Sequence, residues 1–570
     1  MAEDAFISFR VVRNLVDGYG PVFNIDERVE AHTNLLWVAL LAAWNLLGGQ
    51  IEHGAVVFGI AFSVLGLVMA QLAAMRLATT HTGHPTTNAN ITVPFGALAF
   101  AMIPVSWDFV TSGLETGMTF AWLGTAYWAV AWVATQHYEQ RGRWPVAASV
   151  LLGLGPVVRP DLAVFSIVLF ATLLACLFLR ESPRLTVGKV SALIGAFVAI
   201  PVIYQVFRMG YYASLLPNTA LAKATGGARW SLGWDYLLDL AQPYALWLPL
   251  TLLFIWTGVI LTRSLRGRHW TTAILIAAPV LAALIHALYI IRIGGDFMHG
   301  RLLLPSLFGL ILPVAVVSIP TDRLSSRTGL ARMTAVVAIA IWGLVAALSL
   351  RVPPKETYAL IFVADERSFY VGRSGHPNPV TLDDYKEFDL SWLQQGSEWH
   401  TLAEHDARTL VIHPDMPILR FEIPPPTDEY PLREGVSDGI GVVAPSWNIG
   451  MTGYAAGPRV HIVDRYGLAD PIAARVALLP GGRPGHAKAL RMSWVIARYA
   501  DPAADVPFPL DIESARAALH CDSLAQLIEA IEEPLTPGRF FENIRRSWQF
   551  TTLQVPSDPV IAADELCTGR

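Results

Sequence analysis

The feature that most constrains this chain is a succession of long apolar runs through its first 350 residues. A helix needs roughly 20 mostly apolar residues to cross the hydrocarbon core of a bilayer. Charged residues make up only 15% of the chain, against about 25% in soluble domains. The chain is therefore expected to be a polytopic α-helical membrane protein. Ten spans are predicted, near residues 55–76, 91–106, 117–135, 144–158, 162–179, 190–207, 244–262, 271–291, 302–319 and 333–350.

A further apolar stretch, residues 35–50, adjoins the first of these spans with almost no intervening loop. It is expected to lie along the membrane interface, within a first outer loop that covers residues 1–54. If it crossed the membrane instead, only the side of residues 1–34 would change.

Basic residues in the loops predict the orientation of the helices, because cytoplasmic loops carry an excess of lysine and arginine. Alternate loops form a basic set, which is expected to be cytoplasmic: Arg76, Arg141, Arg143, Arg180, Arg184, Lys189, Arg263, Arg266, Arg268, Arg323, Arg327 and Arg332. The N-terminal residues, the loops around 107–116, 159–161, 208–243 and 292–301, and everything after residue 350 then share the outer side.

Residues 351–570 have a different composition from the apolar part of the chain, being rich in proline, glycine and charge. Short β-like runs such as TLVIH (409–413) and GVVAP (441–445) predict a soluble α+β domain. Residues 1–350 are accordingly assigned to the membrane domain. The tail contains Cys521 and Cys567, which can pair as a disulfide if the domain is extracytoplasmic, the alternative being two free thiols.

Polar and ionisable residues gather in the segments assigned to the outer side, including SGLET (112–116), RPD (159–161), LPNTALAK (216–223) and GGDFMHGR (294–301). A carboxylate can take a proton from a sugar hydroxyl. Arginine, lysine and histidine can hold a phosphate, arginine through its bidentate fork. These loops therefore predict transfer of a group from a lipid-linked phosphate to an acceptor outside the membrane.

Each of these residues also has a structural interpretation. Glu115 can cap the helix that follows it, and Arg159 with Asp161 can form an ion pair at a helix end. Asp4 can serve as the N-cap of a surface helix. Arg10 can anchor the same helix at the membrane.

The segment EDAFISFRVVRNLVDGYGPVFNIDERVEAHTNLLWV, near the N-terminus, resembles the first outer loop of polyprenyl-phosphate-sugar-dependent glycosyltransferases of the GT-C type. The motifs SGLET, VVRPD, SLLPNTALAK, GGDFMHGRLLLP, VDRYGLADPIAAR and GGRPGHAKAL resemble, in that order, the terminal β-(1→2)-arabinofuranosyltransferases of the mycobacterial cell wall, the AftB type. The resemblance covers nearly the whole chain.

The resemblance implies a GT-C-like helix bundle with a periplasmic C-terminal domain at the plasma membrane. It implies decaprenyl-phosphoryl-arabinofuranose as donor and the arabinan termini of arabinogalactan and lipoarabinomannan as acceptors. It also implies that the acidic pair Glu3-Asp4 is catalytic. The family carries a spanning helix ahead of this loop, whereas this sequence starts inside the loop. We therefore expect either that the sequence is truncated or that its start is misassigned.

The predicted site draws on several loops that the topology places at the outer membrane rim, around one cavity. The residues expected to hold the donor phosphate are Arg159, Lys223, His299 and Arg301. The residues expected to position the sugar, the acceptor or the first loop are Glu30, Asn34, Glu115, Asp161, Asn218 and Asp296.

No cofactor is required in principle, because phosphate on a lipid is already a good leaving group. The sequence has no cluster with convincing metal-ligand spacing, although dependence on a divalent metal and a calcium site in the tail stay open. The net charge of -5 gives no indication of a nucleic-acid partner. The alternatives are transfer of mannose from a polyprenyl phosphate, and a non-catalytic transporter or scaffold. A transporter is expected to carry charges near mid-membrane or internal repeats.

Overall fold

The computed structural model describes residues 1–570 except 83–89, 182–184, 225–226, 321–324, 351–362, 386–390, 413–428, 479–481, 483–484, 507 and 569–570. Two arginines of the predicted topology, Arg184 and Arg323, lie outside the described residues, as do residue 413 of TLVIH and residues 481, 483 and 484 of GGRPGHAKAL.

The helices, in chain order, are α1 (Glu3–Val16), α2 (Leu35–Leu46), α3 (Ile51–Thr82), α4 (Phe95–Ala101), α5 (Pro104–Val110), α6 (Thr116–Thr135), α7 (Tyr138–Arg141), α8 (Trp144–Gly153), α9 (Gly155–Val158), α10 (Ala163–Glu181), α11 (Val187–Tyr211), α12 (Asn218–Lys223), α13 (Trp230–Ala241), α14 (Trp247–Arg266), α15 (Trp270–Ile293), α16 (Leu304–Ile311), α17 (Arg327–Ser349), α18 (Glu366–Ser374), α19 (Ser391–Glu404), α20 (Gly450–Ala456), α21 (Met492–Tyr499), α22 (Pro509–Leu519), α23 (Asp522–Glu532), α24 (Pro537–Thr552) and α25 (Pro559–Thr568). The strands are β1 (Asn90–Val93), β2 (Val317–Pro320), β3 (Thr409–Val411), β4 (Glu429–Pro431), β5 (Val442–Ser446) and β6 (Val460–Asp464).

Six helices of the described residues are long and apolar enough to cross a membrane: Ile51–Ala78, Pro160–Arg180, Val187–Tyr211, Trp247–Arg266, Trp270–Ile293 and Arg327–Ser349. They coincide with six of the ten predicted spans. In the third of them, only 6% of the most apolar window is buried inside the protein, so most of its apolar surface is left for lipid. The polytopic α-helical membrane fold is confirmed.

Two predicted spans, 91–106 and 302–319, are not continuous helices, and for these the prediction of an unbroken helix is wrong. The first contains β1, α4 and α5, and the second contains a 3₁₀ turn (Arg301–Leu303), α16 and part of β2. β1 and β2 pair antiparallel, with Asn90 opposite Pro320 and Val93 opposite Val317. Prolines at 94, 104, 305 and 313 interrupt both runs, because proline cannot continue the hydrogen-bond ladder of a helix interior.

Of the remaining predicted spans, 117–135 is one helix, α6, whereas 144–158 divides at Leu154 into α8 and α9. The stretch 35–50 contains α2, a helix of 12 residues, which is shorter than a membrane crossing needs.

Glycines allow α3 and α6 to pack backbone against backbone. A Cβ added at Gly117 would lie 2.2 Å from the carbonyl oxygen of Gly59, and one added at Gly124 would lie 2.3 Å from that of Gly66. Small residues spaced in this way let membrane helices approach closely. Because α6 begins immediately after Glu115, this packing fixes the position of a predicted site residue.

The C-terminal residues form a four-stranded sheet in the order β4-β3-β5-β6. β5 is parallel to both β3 and β6, while β4 is antiparallel to β3. Buried residues of the strands and of α21 to α23, among them Val443, Trp494 and Leu527, belong to one hydrophobic core. Cys521 and Cys567 are joined by a disulfide with Cα atoms 5.0 Å apart, a normal separation for bonded cysteines.

The described chain divides into two compact units. A sheet-containing unit comprises Met1–Gly54, Ile203–Gly226 and Phe369–Arg570, and a helical unit comprises Ala55–Val202 and Gly227–Ser368. The predicted boundary at residues 350 and 351, and the extracytoplasmic location of the tail, stay predictions.

Candidate active-site residues

In the helical unit, the sequence RPD forms a turn in which Arg159 and Asp161 face one another. Arg159 has extended backbone, and Pro160 then begins a 3₁₀ turn that leads into α10. The Nε and Nη2 atoms of Arg159 donate to the two carboxylate oxygens of Asp161 at 3.0 and 2.9 Å. This bidentate pair is the ion pair that the sequence allowed as a structural alternative.

Asp161 is also held by a histidine that the sequence did not indicate. The Nε2 atom of His286, on α15, lies 2.8 Å from Asp161 Oδ2, and its Nδ1 atom lies 2.7 Å from Ser306 Oγ on α16. Since His286 is fully buried, its ring orientation is fixed. The orientation of Arg159 is thereby fixed through Asp161.

Glu115 lies between two guanidinium groups. Its Oε1 atom is 3.7 Å from Arg159 Nε and 3.6 Å from Arg301 Nη2, and Arg301 Nη1 is 3.8 Å from Asp296 Oδ2. These three separations exceed hydrogen-bond length, so the charges attract one another without close pairing. Glu115 is the N-cap residue of α6, but its side chain makes no capping hydrogen bond, so an interaction of its carboxylate with the helix dipole stays a prediction. We call Glu115, Arg159, Asp161, Asp296 and Arg301 the arginine cluster.

The arginine cluster retains unused hydrogen-bonding capacity. Arg159 Nη1 and Asp296 Oδ2 are buried and have no hydrogen-bond partner in the part of the chain that the structure describes. Buried polar atoms are normally paired with protein or with water. Two guanidinium groups with loosely paired carboxylates beside them, Glu115 and Asp296, can donate hydrogen bonds to the oxygens of a phosphate.

His299 makes its own set of contacts in the same unit. Its Nδ1 atom is 2.6 Å from Asp239 Oδ2, and its Nε2 atom is 3.1 Å from the hydroxyl of Tyr244. The carboxylate of Asp239, on α13, therefore fixes the orientation of the His299 ring. A phosphate-binding role for His299 stays a prediction.

In the sheet-containing unit, Glu3 and Asp4 form the first turn of α1, and they differ in environment. The Glu3 carboxylate accepts the backbone N–H groups of Gly450 and Met451 at the start of α20. Burial raises the pKa of Glu3 to about 8, with the charge of neighbouring Asp4 adding to the effect. Asp4 is half-buried. The N-cap of α1 is Ala2, so the alternative of Asp4 as N-cap is wrong.

Arg10 does not anchor α1 at a membrane surface. It is 2% exposed, and it donates to the carbonyl oxygens of Phe23, Gly453 and Val460. Its role is to join α1 to the loop after it and to the sheet.

The remaining predicted residues of this unit have diverse partners. Glu30 accepts hydrogen bonds from the Tyr204 hydroxyl and from Arg208, whose Nε lies 2.6 Å away. The Asn218 amide donates to the carbonyl oxygens of Gly467 and Asp470 at 2.8 and 3.0 Å.

Asn34 is the N-cap residue of α2, and its amide lies 3.5 Å from Ser8 Oγ. Lys223 ends α12 and is half-buried. Asn34 and Asn218 therefore hold segments of the unit together, and a sugar-positioning role for them stays a prediction.

Comparison with known proteins identifies the family. Over 98% of its length, the chain is 33% identical to a terminal β-(1→2)-arabinofuranosyltransferase of Mycobacterium tuberculosis, covering 92% of that protein. Over the same share, it is 32% identical to a protein of that name from Corynebacterium glutamicum, covering 84% of it. This chain belongs to the terminal β-(1→2)-arabinofuranosyltransferases.

The remaining comparisons agree with this assignment. Residues 436–565 match the model of the AftB family C-terminal domain, and no solved structure matches the chain. The resemblance of its motifs to this family is confirmed, and the protein is a membrane glycosyltransferase. The alternatives of a mannosyltransferase, a transporter and a scaffold find no support among these relatives.

The sequence of this arabinofuranosyltransferase did not indicate four residues that orient the predicted site residues. Asp239, His286, Tyr204 and Arg208 lie in apolar or amphipathic helices, where a single ionisable residue carries no motif. An ionisable residue inside a predicted span was the available signal, since such residues are rare and functional. His286 satisfies it, since it lies in the predicted span 271–291, whereas Arg208 directly follows the predicted span 190–207.

Proposed function

We propose that this glycosyltransferase transfers arabinofuranose from decaprenyl-phosphoryl-arabinofuranose to the non-reducing termini of arabinan in arabinogalactan and lipoarabinomannan. The observation that carries this proposal is the identity of 32–33% with two proteins named terminal β-(1→2)-arabinofuranosyltransferases across 98% of the chain. The arginine cluster supports it, because the phosphate of a lipid-linked donor needs cations to stabilise its negative charge. In enzymes that use nucleotide sugars, a metal ion usually supplies that positive charge.

The reaction exchanges one C–O bond for another. The bond between C1 of arabinofuranose and the phosphate oxygen breaks, and the phosphate keeps the electron pair. The oxygen of an acceptor hydroxyl forms the new bond to C1, and its proton passes to a carboxylate. No oxidant or reductant is required.

The arginine cluster is assigned to the phosphate. Charge builds up on the phosphate oxygens as the C1–O bond breaks, and preorganised guanidinium groups stabilise such charge. Arg159 and Arg301 are proposed to donate hydrogen bonds to the phosphate oxygens. Arg159 Nη1, which has no hydrogen-bond partner among the described residues, is available to a ligand oxygen. His299 and Lys223 are proposed as additional phosphate ligands. Among the described residues no group of three or more His, Cys, Asp or Glu is arranged to hold a metal ion.

Asp4 is assigned to the reacting carbon or the acceptor proton. A β-linked donor that gives a β-linked product retains its configuration, whereas a single in-line displacement inverts it. Asp4 therefore acts as the nucleophile of a two-step reaction, or as a base while the acceptor attacks on the face of the leaving group. Mass spectrometry of enzyme quenched during turnover separates these routes, because only the first gives an arabinosyl ester on Asp4.

The sheet-containing residues after position 350 are proposed to lie on the periplasmic side, as the distribution of basic loop residues indicates. Single cysteines at the exposed positions 266 and 327 should then resist labelling by an impermeant maleimide in intact cells. Cysteines at 4 and 570 should be labelled. An externally labelled position 266 would contradict the proposed orientation.

The test of the activity itself is transfer in a defined system. The purified chain in detergent receives synthetic polyprenyl-phosphoryl-arabinofuranose and a short arabinan oligosaccharide. The expected product is the acceptor extended by one β-(1→2)-linked arabinofuranose. A matched assay with polyprenyl-phosphoryl-mannose should give no product. Product from mannose alone would overturn the proposal.

A further inference from the structure

Two parallel strands of the sheet-containing unit, β5 and β6, end side by side. Their last residues, Ser446 and Asp464, are opposite one another in the register. Trp447 follows β5 directly, and Tyr466 lies two residues beyond β6. Ligands of open sheets with parallel strands bind beyond the carboxyl ends of those strands, so this edge is where a binding site is expected.

Three aromatic rings meet at this edge. The ring centroids of Trp447 and Tyr466 are 4.6 Å apart at an angle of 53°, and those of Tyr466 and His486 are 4.5 Å apart at 90°. All three side chains are partly exposed, although the adjoining ends of β5 and β6 are fully buried. We call Trp447, Tyr466 and His486 the aromatic platform.

Buried charged residues hold the aromatic platform in place. The Arg465 guanidinium lies 4.3 Å from the centre of the Trp447 ring, and its Nε donates to the Leu490 carbonyl at 2.9 Å. Asp464 accepts the N–H groups of Tyr466 and Ala469, both at 2.9 Å. A surface fixed in this way loses little conformational entropy when a ligand binds.

The platform adjoins the acidic pair of α1 within the same unit. Three residues after Trp447, α20 begins, and Gly450 at its first position donates to Glu3. The Glu3 carboxylate is also within electrostatic range of Asp464. The segment after β5 therefore carries Trp447 at its start. Three residues later, at Gly450, it contacts Glu3, the residue before Asp4.

We propose that the aromatic platform is the subsite for the acceptor and stacks against a terminal arabinofuranose ring of an arabinan chain. A sugar ring presents C–H bonds on its faces and hydroxyl groups at its edge. Aromatic faces, which are apolar and carry partial negative charge, pack well against such C–H bonds, and ligand sites commonly combine aromatic walls with few polar groups. This inference rests on the proposed function, since it names the part of the protein that receives the second substrate.

The test is steady-state kinetics of the full chain with synthetic donor and a short arabinan oligosaccharide. Tyr466→Ala removes the central ring and should raise the KM for the oligosaccharide by roughly tenfold, with the KM for the donor within twofold of the original. His486→Ala should raise the acceptor KM to a smaller extent. Tyr466→Phe, which keeps the ring, should recover most of the affinity that Tyr466→Ala loses.

The matched control is Trp548→Ala on α24, since Trp548 is 68% exposed in the same unit and belongs to neither proposed site. It should leave the acceptor KM unchanged. Unchanged acceptor KM in both Tyr466→Ala and His486→Ala, with active parent enzyme, would overturn the platform and leave the proposed function standing.

Saturation-transfer NMR with the oligosaccharide provides a measurement that needs no turnover and therefore separates the two proposals. Binding that Tyr466→Ala abolishes supports the platform even if the parent enzyme fails to use the donor, in which case the proposed reaction is wrong. A parent protein that neither binds nor extends arabinan would overturn both. If Tyr466→Ala does not fold, His486→Ala and Tyr466→Phe decide by the same measurements.

Discussion

Two buried arginines, one in each unit, are surrounded by carboxylates in different ways. In the sheet-containing unit, Arg498 Nη2 donates to Glu27 at 3.0 Å and to Glu532 at 2.6 Å, and Nη1 donates to Asp470 at 3.3 Å. The carboxylate of Asp470 is occupied on its other oxygen by backbone N–H groups of residues 472 and 473. Both terminal nitrogens of this arginine are therefore committed to protein.

In the helical unit, Arg159 has one close partner, Asp161, and one distant one, Glu115, at 3.7 Å. Its Nη1 has no hydrogen-bond partner among the described residues. A closely paired network holds a fold together, whereas buried charge with spare hydrogen-bonding capacity is stable only when something else can use that capacity. Arg498 Nε likewise has no hydrogen-bond partner among the described residues, so the difference lies in the carboxylate contacts, which are 2.6–3.3 Å for Arg498 and 3.6–3.8 Å for Glu115 and Asp296 in the arginine cluster. We therefore propose a structural role for Arg498 and a ligand-binding role for the arginine cluster.

The largest effect is expected at the acidic pair Glu3-Asp4. Glu3 is paired with backbone N–H groups of the protein, whereas Asp4 is proposed to act on the substrates. Asp4→Asn keeps the size of the side chain but removes the base or nucleophile, so kcat should fall by at least ~10²–10⁴, while donor binding survives. Glu3→Gln is the matched variant. The Glu3 carboxylate accepts hydrogen bonds from backbone N–H groups of α20. Glu3→Gln should therefore act mainly on the melting temperature and only slightly on kcat. Full turnover in Asp4→Asn would show that the chemistry belongs to another residue.

The next effect is on stability. Arg498→Ala leaves two buried carboxylates, Glu27 and Asp470, and the partly exposed Glu532 without their cation. Breaking a buried ion pair in this way typically costs about 3–5 kcal/mol. The change should appear as a lower midpoint of thermal unfolding. Arg545→Ala is the control, because Arg545 is 74% exposed and pairs with Glu542 at the surface; exposed pairs contribute little. Equal midpoints for the two variants would remove the structural role of Arg498.

Arg301→Ala should weaken donor binding and leave stability nearly unchanged, in contrast to Arg498→Ala. It removes one guanidinium from the arginine cluster, so the KM for the donor should rise by roughly 10–100-fold, the range of a lost hydrogen bond to a charged group. The unfolding midpoint should change little, since its carboxylate contacts are long, at 3.6 and 3.8 Å. Arg292→Ala, at the exposed end of α15, is the control. A loss of stability without a change in donor KM would place Arg301 beside Arg498.

The sequence predicted helices most reliably where hydropathy alone determines the outcome. Six predicted spans are helices because about 20 apolar residues in lipid must satisfy their own backbone groups. The runs 91–106 and 302–319 were misassigned, because a short apolar run does not by itself distinguish a membrane helix from buried strand and short helices. Their prolines were the available signal.

Site residues were predictable where polar residues cluster in a loop, as in RPD and GGDFMHGR. Their supporting partners were not, because they are distant along the chain. His286 lies 125 residues from Asp161, and Arg208 lies 178 from Glu30. Neither α15, which carries His286, nor α11, which carries Arg208, contains a motif that predicts these contacts. Contacts between distant segments are determined by tertiary packing.

The smallest effect concerns the pH dependence of stability, which arises from buried carboxyls of the sheet-containing unit. Burial raises the pKa of Asp464 from 3.8 to about 7, so the folded protein binds a proton that the unfolded chain has released. The stability from this group is complete below about pH 4 and is lost as the pH rises towards 7. Burial likewise raises the pKa of Glu27 to about 7, which has the same sign.

The pKa of Asp26 is lowered by the charge and hydrogen bond of His461, so its stabilisation is lost only under more acidic conditions. The melting temperature should consequently be several degrees higher at pH 5 than at pH 7.5. Asp464→Asn, which keeps the shape and does not ionise, should reduce that difference. Glu513→Gln, an exposed change on α22, should leave it intact. A difference unaltered by Asp464→Asn would show that Asp464 is ionised in the folded protein, and that its backbone donors outweigh burial.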